Sequence, residues 1–512
     1  MKRNYYVFCL LALFGSLNVQ AYDFEVGGIY YTAADTATAS AKAVVTAGDE
    51  VYEGSVAIPA SVVYEGKEYA VVAIDAKAFY FCKGLTAVTI PQTVTKIGAE
   101  AFRNCAALTT LTLPSSVTSI GCSAFFGCSG LTSFTIPAGV TTIEPYTFYG
   151  CKRVPSFNLG GIRKIGGSAF AGCDALTSVA IPAQTTIESY CFQNCKGLTS
   201  VVIPAGVLNV GDGAFEGCTG LTSVTIPEGV VQLGRGAFEG CTGLTAITVP
   251  STVKSLVSST FGGCTKLTSL AVAAGNPVYD SRNNCNAIIE TYVEKKKDET
   301  ITHLKLVAGC KTSVIPEGVT EIGINAFLNC TGLTSINIPE SVTSLGVSAF
   351  QNTGITTITI PETITVIDDF CFANCASLTT VTLPATVTKL CSDAFAFCTA
   401  LKDFYCLAEK APTTLSDVFL GTDLANATLY VPGESYGSYS LVEPWSLFGT
   451  IVPGNGNLVA PEKDAETAIA SLKDAGKIQQ VYSLGGQQTS KLQRGINVVR
   501  MSDGTTRKVL VK

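Results

Sequence analysis

The chain has 512 residues and a formal net charge of −6, with only 14% charged residues, 49 glycines and 20 cysteines. Nucleic-acid binding is excluded, because no basic stripe is present that could neutralise a phosphate backbone. β-Branched residues are abundant while Met, Gln and Glu are sparse, so the composition points to a mostly β protein.

The chain opens with Lys2 and Arg3, an apolar run over residues 5–17 and the small-x-small triplet Val19-Gln20-Ala21. That order is a secretory leader over residues 1–21, predicting a mature chain that begins at Tyr22. Cys9 lies inside the apolar run and no cysteine follows the cleavage site, so no lipid anchor is expected there. No later stretch approaches the length needed to cross a bilayer, so no transmembrane segment is expected in the mature chain. Residues 22–72 carry two β-rich runs around Glu65-Gly66-Lys67, which predicts a hairpin within an N-terminal β cap.

Residues 73–406 are dominated by a repeat. Its Phe falls at 79, 102, 125, 148, 170, 192, 215, 238 and 261, then at 327, 350, 372 and 395, in steps of 22 or 23 residues. The interval from Phe261 to Phe327 equals three steps of 22, which predicts two altered coils with a hairpin insertion at about 274–316. In one unit, Leu221, Val224 and Ile226 follow an L-x-x-L-x-L spacing and Pro227 stops the strand. Val230 and Leu233 give a second inward pair, and Ala237-Phe238 fills the far side. One unit cannot bury its own apolar face, so copies must stack. The fold class is therefore mostly β: a leucine-rich-repeat solenoid of about fifteen coils of 22–23 residues with a long parallel sheet, capped at both ends. Helical repeats are ruled out by the recurrent prolines and the lack of a sustained 3.6-residue period.

Residues 407–453 leave the period and contain the single Trp, Trp445, suited to plugging the last coil as a C-terminal cap. Residues 454–477 read as a linker, and 478–512 as a separate strand-rich piece.

Twelve cysteines, among them Cys105, Cys128, Cys218, Cys241 and Cys398, stand three residues after the repeat Phe, and Thr353 takes that slot in one coil. In-register neighbours sit ~4.8 Å apart, wide for the ~3.5–4.5 Å Cβ separation of a disulfide. A ladder of buried thiols is expected rather than disulfides. Zinc at Cys191 and Cys195, or at Cys371 and Cys375, is the competing reading, disfavoured because no histidine is near.

Chemistry is sparse. The one histidine, His303, sits on the predicted hairpin and is read as a solvated surface residue; no nucleophile elbow, phosphate-cradling loop or zinc-protease motif occurs. No catalytic, metal or cofactor residue is assigned and an enzyme is not expected. The outward strand positions instead form two uncharged, hydroxyl-rich columns. The candidate binding face comprises Thr110 and Thr112, Ser133 and Thr135, Ser223 and Thr225, Ser335 and Asn337, Thr357 and Thr359, and Thr380 and Thr382. It suits docking of a protein, with a glycan as the alternative ligand; the plainer explanation is that Ser and Thr keep an exposed sheet soluble.

The unit Cys105-Ala106-Ala107-Leu108 through Ile120-Gly121 and Ala124-Phe125 resembles that of BspA-like leucine-rich-repeat proteins of bacterial surfaces, and a dozen further coils repeat it. The segments 23–31 and 274–291 are also similar to pieces of that family. The tail over residues 481–512 is similar to C-terminal sorting domains used for secretion across the outer membrane. The resemblance implies a secreted or outer-surface adhesion protein that binds host or bacterial surface proteins.

Overall fold

The structure, a computed structural model, describes residues 22–35, 41–296, 299–415 and 417–454, together with four strands between 478 and 511. The leader read over 1–21 and the linker residues 455–477 lie outside the described residues. The chain is mostly β, a solenoid of about 16 turns with parallel sheet.

Most coils carry two short strands and one tight far-side turn. The first strand is β-branched and stops at the proline: Ser223–Thr225 runs parallel to Ser200–Val202, pairing Val201 with Val224. The second is shorter, and Gln232–Leu233 lies between Asn209–Val210 and Ser255–Leu256. The far-side turn brings the repeat Phe into the core between two left-handed residues, Gly213 (φ 56°) and Gly217 (φ 69°) around Phe215, where a Cβ would be strained.

Stacking is register-true. From Phe79 to Phe261, consecutive rings lie 4.9–6.0 Å apart with planes within 10° of parallel. A second run joins Phe327, Phe350, Phe372 and Phe395 at 5.2–5.3 Å. These are offset-parallel contacts, a favoured aromatic arrangement, repeated at every coil.

Between the runs the stack is interrupted and the apolar core divides into two clusters. Gly309 stands in the Phe slot there: its N–H donates to the Ala326 carbonyl, as Phe327 N–H does to Ala349 one coil on. Phe327 swings its ring into the space a side chain at Gly309 would take. The Thr312 hydroxyl donates to the Thr268 carbonyl, so the next coil is already stacked at residue 312. The interval between Phe261 and Phe327 thus holds one enlarged coil and not two. The extra length is a hairpin, Ala287–Lys296 against Glu299–Gly309, that adds strands to the second sheet only.

The first-strand sheet comes in pieces rather than as one ladder. Residues 132–136 form no strand, and there Phe134 occupies the slot that Val224 fills elsewhere, edge-on to Phe125 and Phe148 at 4.8 Å. Residues 333–339 likewise form no strand, with Ile336 in that slot.

Both ends are closed. Ser61–Tyr64 and Lys67–Ile74 form the hairpin around Glu65-Gly66, in a sheet that leads into the coils. At the other end Thr428–Pro432 and Thr450–Gly454 continue the parallel sheet past residue 406, so the region read as a cap also extends the stack. Trp445 is fully buried there and its indole N–H donates to the Pro412 carbonyl at 3.1 Å. The strands Ile478–Ser483, Gln488–Thr489, Gly495–Met501 and Thr506–Val511 pair with one another in an antiparallel sheet.

Candidate functional site

A strand with one face buried offers its alternate residues to solvent, and the two outward positions of each first strand flank an inward Leu, Val or Ile. Thr110 and Thr112, Ser133 and Thr135, Ser223 and Thr225, and Ser335 and Asn337 are all exposed, with Thr359 exposed and Thr357 half-buried. Parallel register aligns them along the rod: Ala87 with Thr110, Ser200 with Ser223, Ala246 with Ser269.

Thr380 and Thr382 break the pattern. They are only 6% and 3% exposed and belong to no open face. Their strand lies inside a five-stranded sheet, where Thr382 pairs with Tyr405, and the Tyr405 ring stacks on Tyr430 at 4.3 Å. Small side chains beside paired rings are shielded from water, so these two leave the candidate face.

The structure also separates two kinds of hydroxyl. In most coils the threonine after the repeat Leu donates along the stack, as Thr222 does to the Thr199 carbonyl at 3.0 Å and Thr379 to Thr356 at 2.9 Å. These hydroxyls hold coil to coil. The hydroxyls of Thr110, Thr112, Ser223 and Thr225 form no hydrogen bond among the described residues and remain able to bond a ligand. Sequence alone does not separate the two sets, since both are Ser or Thr beside an inward residue.

The thiol column is buried and every cysteine described is free. Its thiols donate to the Phe carbonyl of the preceding coil, as Cys195 does to Phe170 at 3.2 Å. Burial pushes the Cys191 and Cys195 thiols well up, which keeps them protonated and poor metal ligands. Among the described residues no group of three potential metal-binding side chains occurs.

His303 is not the freely solvated residue expected. Its ring stacks on Tyr292 at 4.8 Å, with Nε2 3.3 Å from Glu294 and Nδ1 3.4 Å from Glu321. The imidazole ties the hairpin to the following coil and points at no cleft. Asp369 likewise accepts the Ser392 N–H at 2.9 Å, a bond between coils.

A family model described as "BspA type Leucine rich repeat region" matches residues 72–198, 185–294 and 307–422. Among solved structures, a leucine-rich repeat protein from Bacteroides ovatus is 26% identical, with a TM-score of 0.50 over 75% of this chain and 94% of that one. A leucine rich cell surface protein from Faecalibacterium prausnitzii is 27% identical, with a TM-score of 0.47 over 85% of this chain and 95% of that one. No curated protein matches.

Proposed function

Because the chain belongs to the BspA-type leucine-rich repeat family, whose members are typically cell-surface or secreted proteins, we propose that it is an exported adhesion protein that docks a protein ligand on its outward sheet face. The observation that carries this reading is the register of unbonded hydroxyls at Thr110, Thr112, Ser223 and Thr225, an uncharged hydrogen-bonding surface on a rigid stack. The leader over residues 1–21 and the strand-rich tail, read as a sorting domain, fit export to the outer surface.

Beads coated with the full chain are presented to surfaces bearing extracellular-matrix proteins. Replacing Ser223 and Thr225 together by Lys is expected to cut attachment about tenfold through desolvated charge, with the melting temperature unchanged. Attachment that survives the replacement removes the face from the mechanism. The stacked rings of Tyr405 and Tyr430 on the same sheet support glycan binding as a second reading; retention of a glycan on an array, with no matrix protein bound, selects it.

A further inference from the structure

The turn edge of the solenoid carries a feature the sheet face does not explain. Each repeat Phe is bracketed two residues before and after by left-handed backbone, and most coils place Gly, Asn or Ser there. Phe81 (φ 58°), Tyr146 (φ 59°), Tyr190 (φ 60°), Phe370 (φ 56°) and Phe397 (φ 58°) instead put large rings in this disfavoured conformation. Those rings are 39–46% exposed, so burial does not compensate the strain. Strain kept where a smaller residue serves the same fold in the next coil points to a use for the ring.

Phe126 is covered on both faces and presents its edge. The Arg103 guanidinium lies 4.1 Å over one face of Phe126, and Tyr149 stacks on the other at 4.6 Å and 4°. An aromatic edge carries the positive end of the ring quadrupole. Cations flank this ladder: Lys83 stands 5.6 Å from the Phe81 ring, and exposed Lys152 and Arg153 make no ion pair among the described residues. Farther along, Glu216 and Glu239 occupy the slot of Phe126 and Tyr149, and Phe370 and Phe397 stand near Asp368, Asp369 and Asp393, so it is in the first coils that basic side chains accompany the rings.

We propose that the turn edge from Tyr80 to Arg153 binds an acidic polypeptide segment of a partner protein. Its carboxylates meet Lys83, Lys152 and Arg153, and its apolar side chains lie along the ring edges. A saccharide stacks on ring faces, which Arg103 and Tyr149 cover at Phe126. This surface is separate from the outward sheet face and the proposal stands without it.

The test is fluorescence anisotropy of a labelled glutamate–tyrosine copolymer against the full chain, with heparin and phosphatidylglycerol vesicles as competitors. The copolymer is expected to bind, to weaken with added salt, and to lose about tenfold in affinity in the double variant Lys152→Glu, Arg153→Glu. Tyr146→Asn is expected to weaken binding while raising the melting temperature, which a merely structural ring would lower. No copolymer binding, indifference to either variant, or displacement by heparin or vesicles in preference to the copolymer overturns the proposal.

Discussion

The Cys218 thiol donates to the Phe192 carbonyl oxygen at 3.1 Å, across one coil of the stack. The same bond joins Cys105 to Phe79, Cys128 to Phe102 and Cys398 to Phe372, at 3.0–3.3 Å. Each far-side turn leaves a carbonyl pointing inward, and a small, weakly polar donor satisfies it without burying a strongly hydrated group.

Cys218→Ala is therefore expected to cost about 1–2 kcal/mol, from the lost thiol bond to the Phe192 carbonyl and a small void. Cys218→Thr is expected to cost less, because a hydroxyl in this slot finds a carbonyl within its own coil, as Thr353 does in donating to Phe350 at 2.9 Å. Urea titration of the two variants measures the difference; equal losses would show that packing alone fills the column. In the native protein, a thiol reagent is expected to label Cys122 first, the one exposed cysteine among the described residues.

The same column makes the fold sensitive to alkali. Burial pushes the Cys128, Cys264 and Cys330 thiols up to about 12, against about 8.5 in an unfolded chain. The native state thus holds these protons more tightly than the unfolded one. The stabilisation is complete below about pH 8.5 and is lost as the pH climbs toward about 12, at ~1.4 kcal/mol per pH unit for each thiol. Melting temperatures are expected to fall steeply above about pH 9, less steeply in the double variant Cys128→Thr, Cys264→Thr. Parallel slopes would sink the assignment.

Gly309 is the point where the two Phe runs meet. A Cβ there would lie 2.0 Å from Phe327 Cε1, so Gly309→Ala must displace a buried ring. Overpacking of this kind costs about 1–3 kcal/mol. Adding Phe327→Leu, which vacates part of that space, is expected to recover some of the loss; a double variant as unstable as the sum of the singles would show that the two sites do not touch.

The repeat was legible because one physical demand, burying Leu, Val and Phe against copies of themselves, recurs at a fixed spacing. Where the demand changes, legibility ends. Gly309 has no side chain to mark its slot, so a hairpin-bearing coil reads as two coils. Of the candidate face, Thr225 and Thr382 have the same place in the unit; what differs is the neighbouring strand, where Tyr405 pairs with Thr382. Whether an outward residue sees water depends on residues a full coil away.

That contrast is testable. Thr225→Lys is expected to change stability by no more than about 0.5 kcal/mol, as surface substitutions do. Thr382→Lys places an ammonium where only 3% of the residue is exposed, and is expected to cost about 3 kcal/mol or more. Thermal melts compare them directly. A mild Thr382→Lys would return that residue to the open face.

The C-terminal end offers the last test, because a stacked solenoid is coupled mainly between neighbours. Trp445 packs edge-on against Phe404, Phe419 and Tyr439 at 5.4–5.9 Å, and its N–H satisfies Pro412. Trp445→Ala is expected to cost about 3–5 kcal/mol, and Trp445→Phe about 1–2 kcal/mol through the unbonded carbonyl. The loss is expected to stay local: hydrogen exchange accelerates over residues 403–454 and stays slow around Phe215 and Phe238, where the stack is closed on both sides. Acceleration along the whole rod would mean that the coils melt as one unit and that the cap governs them all.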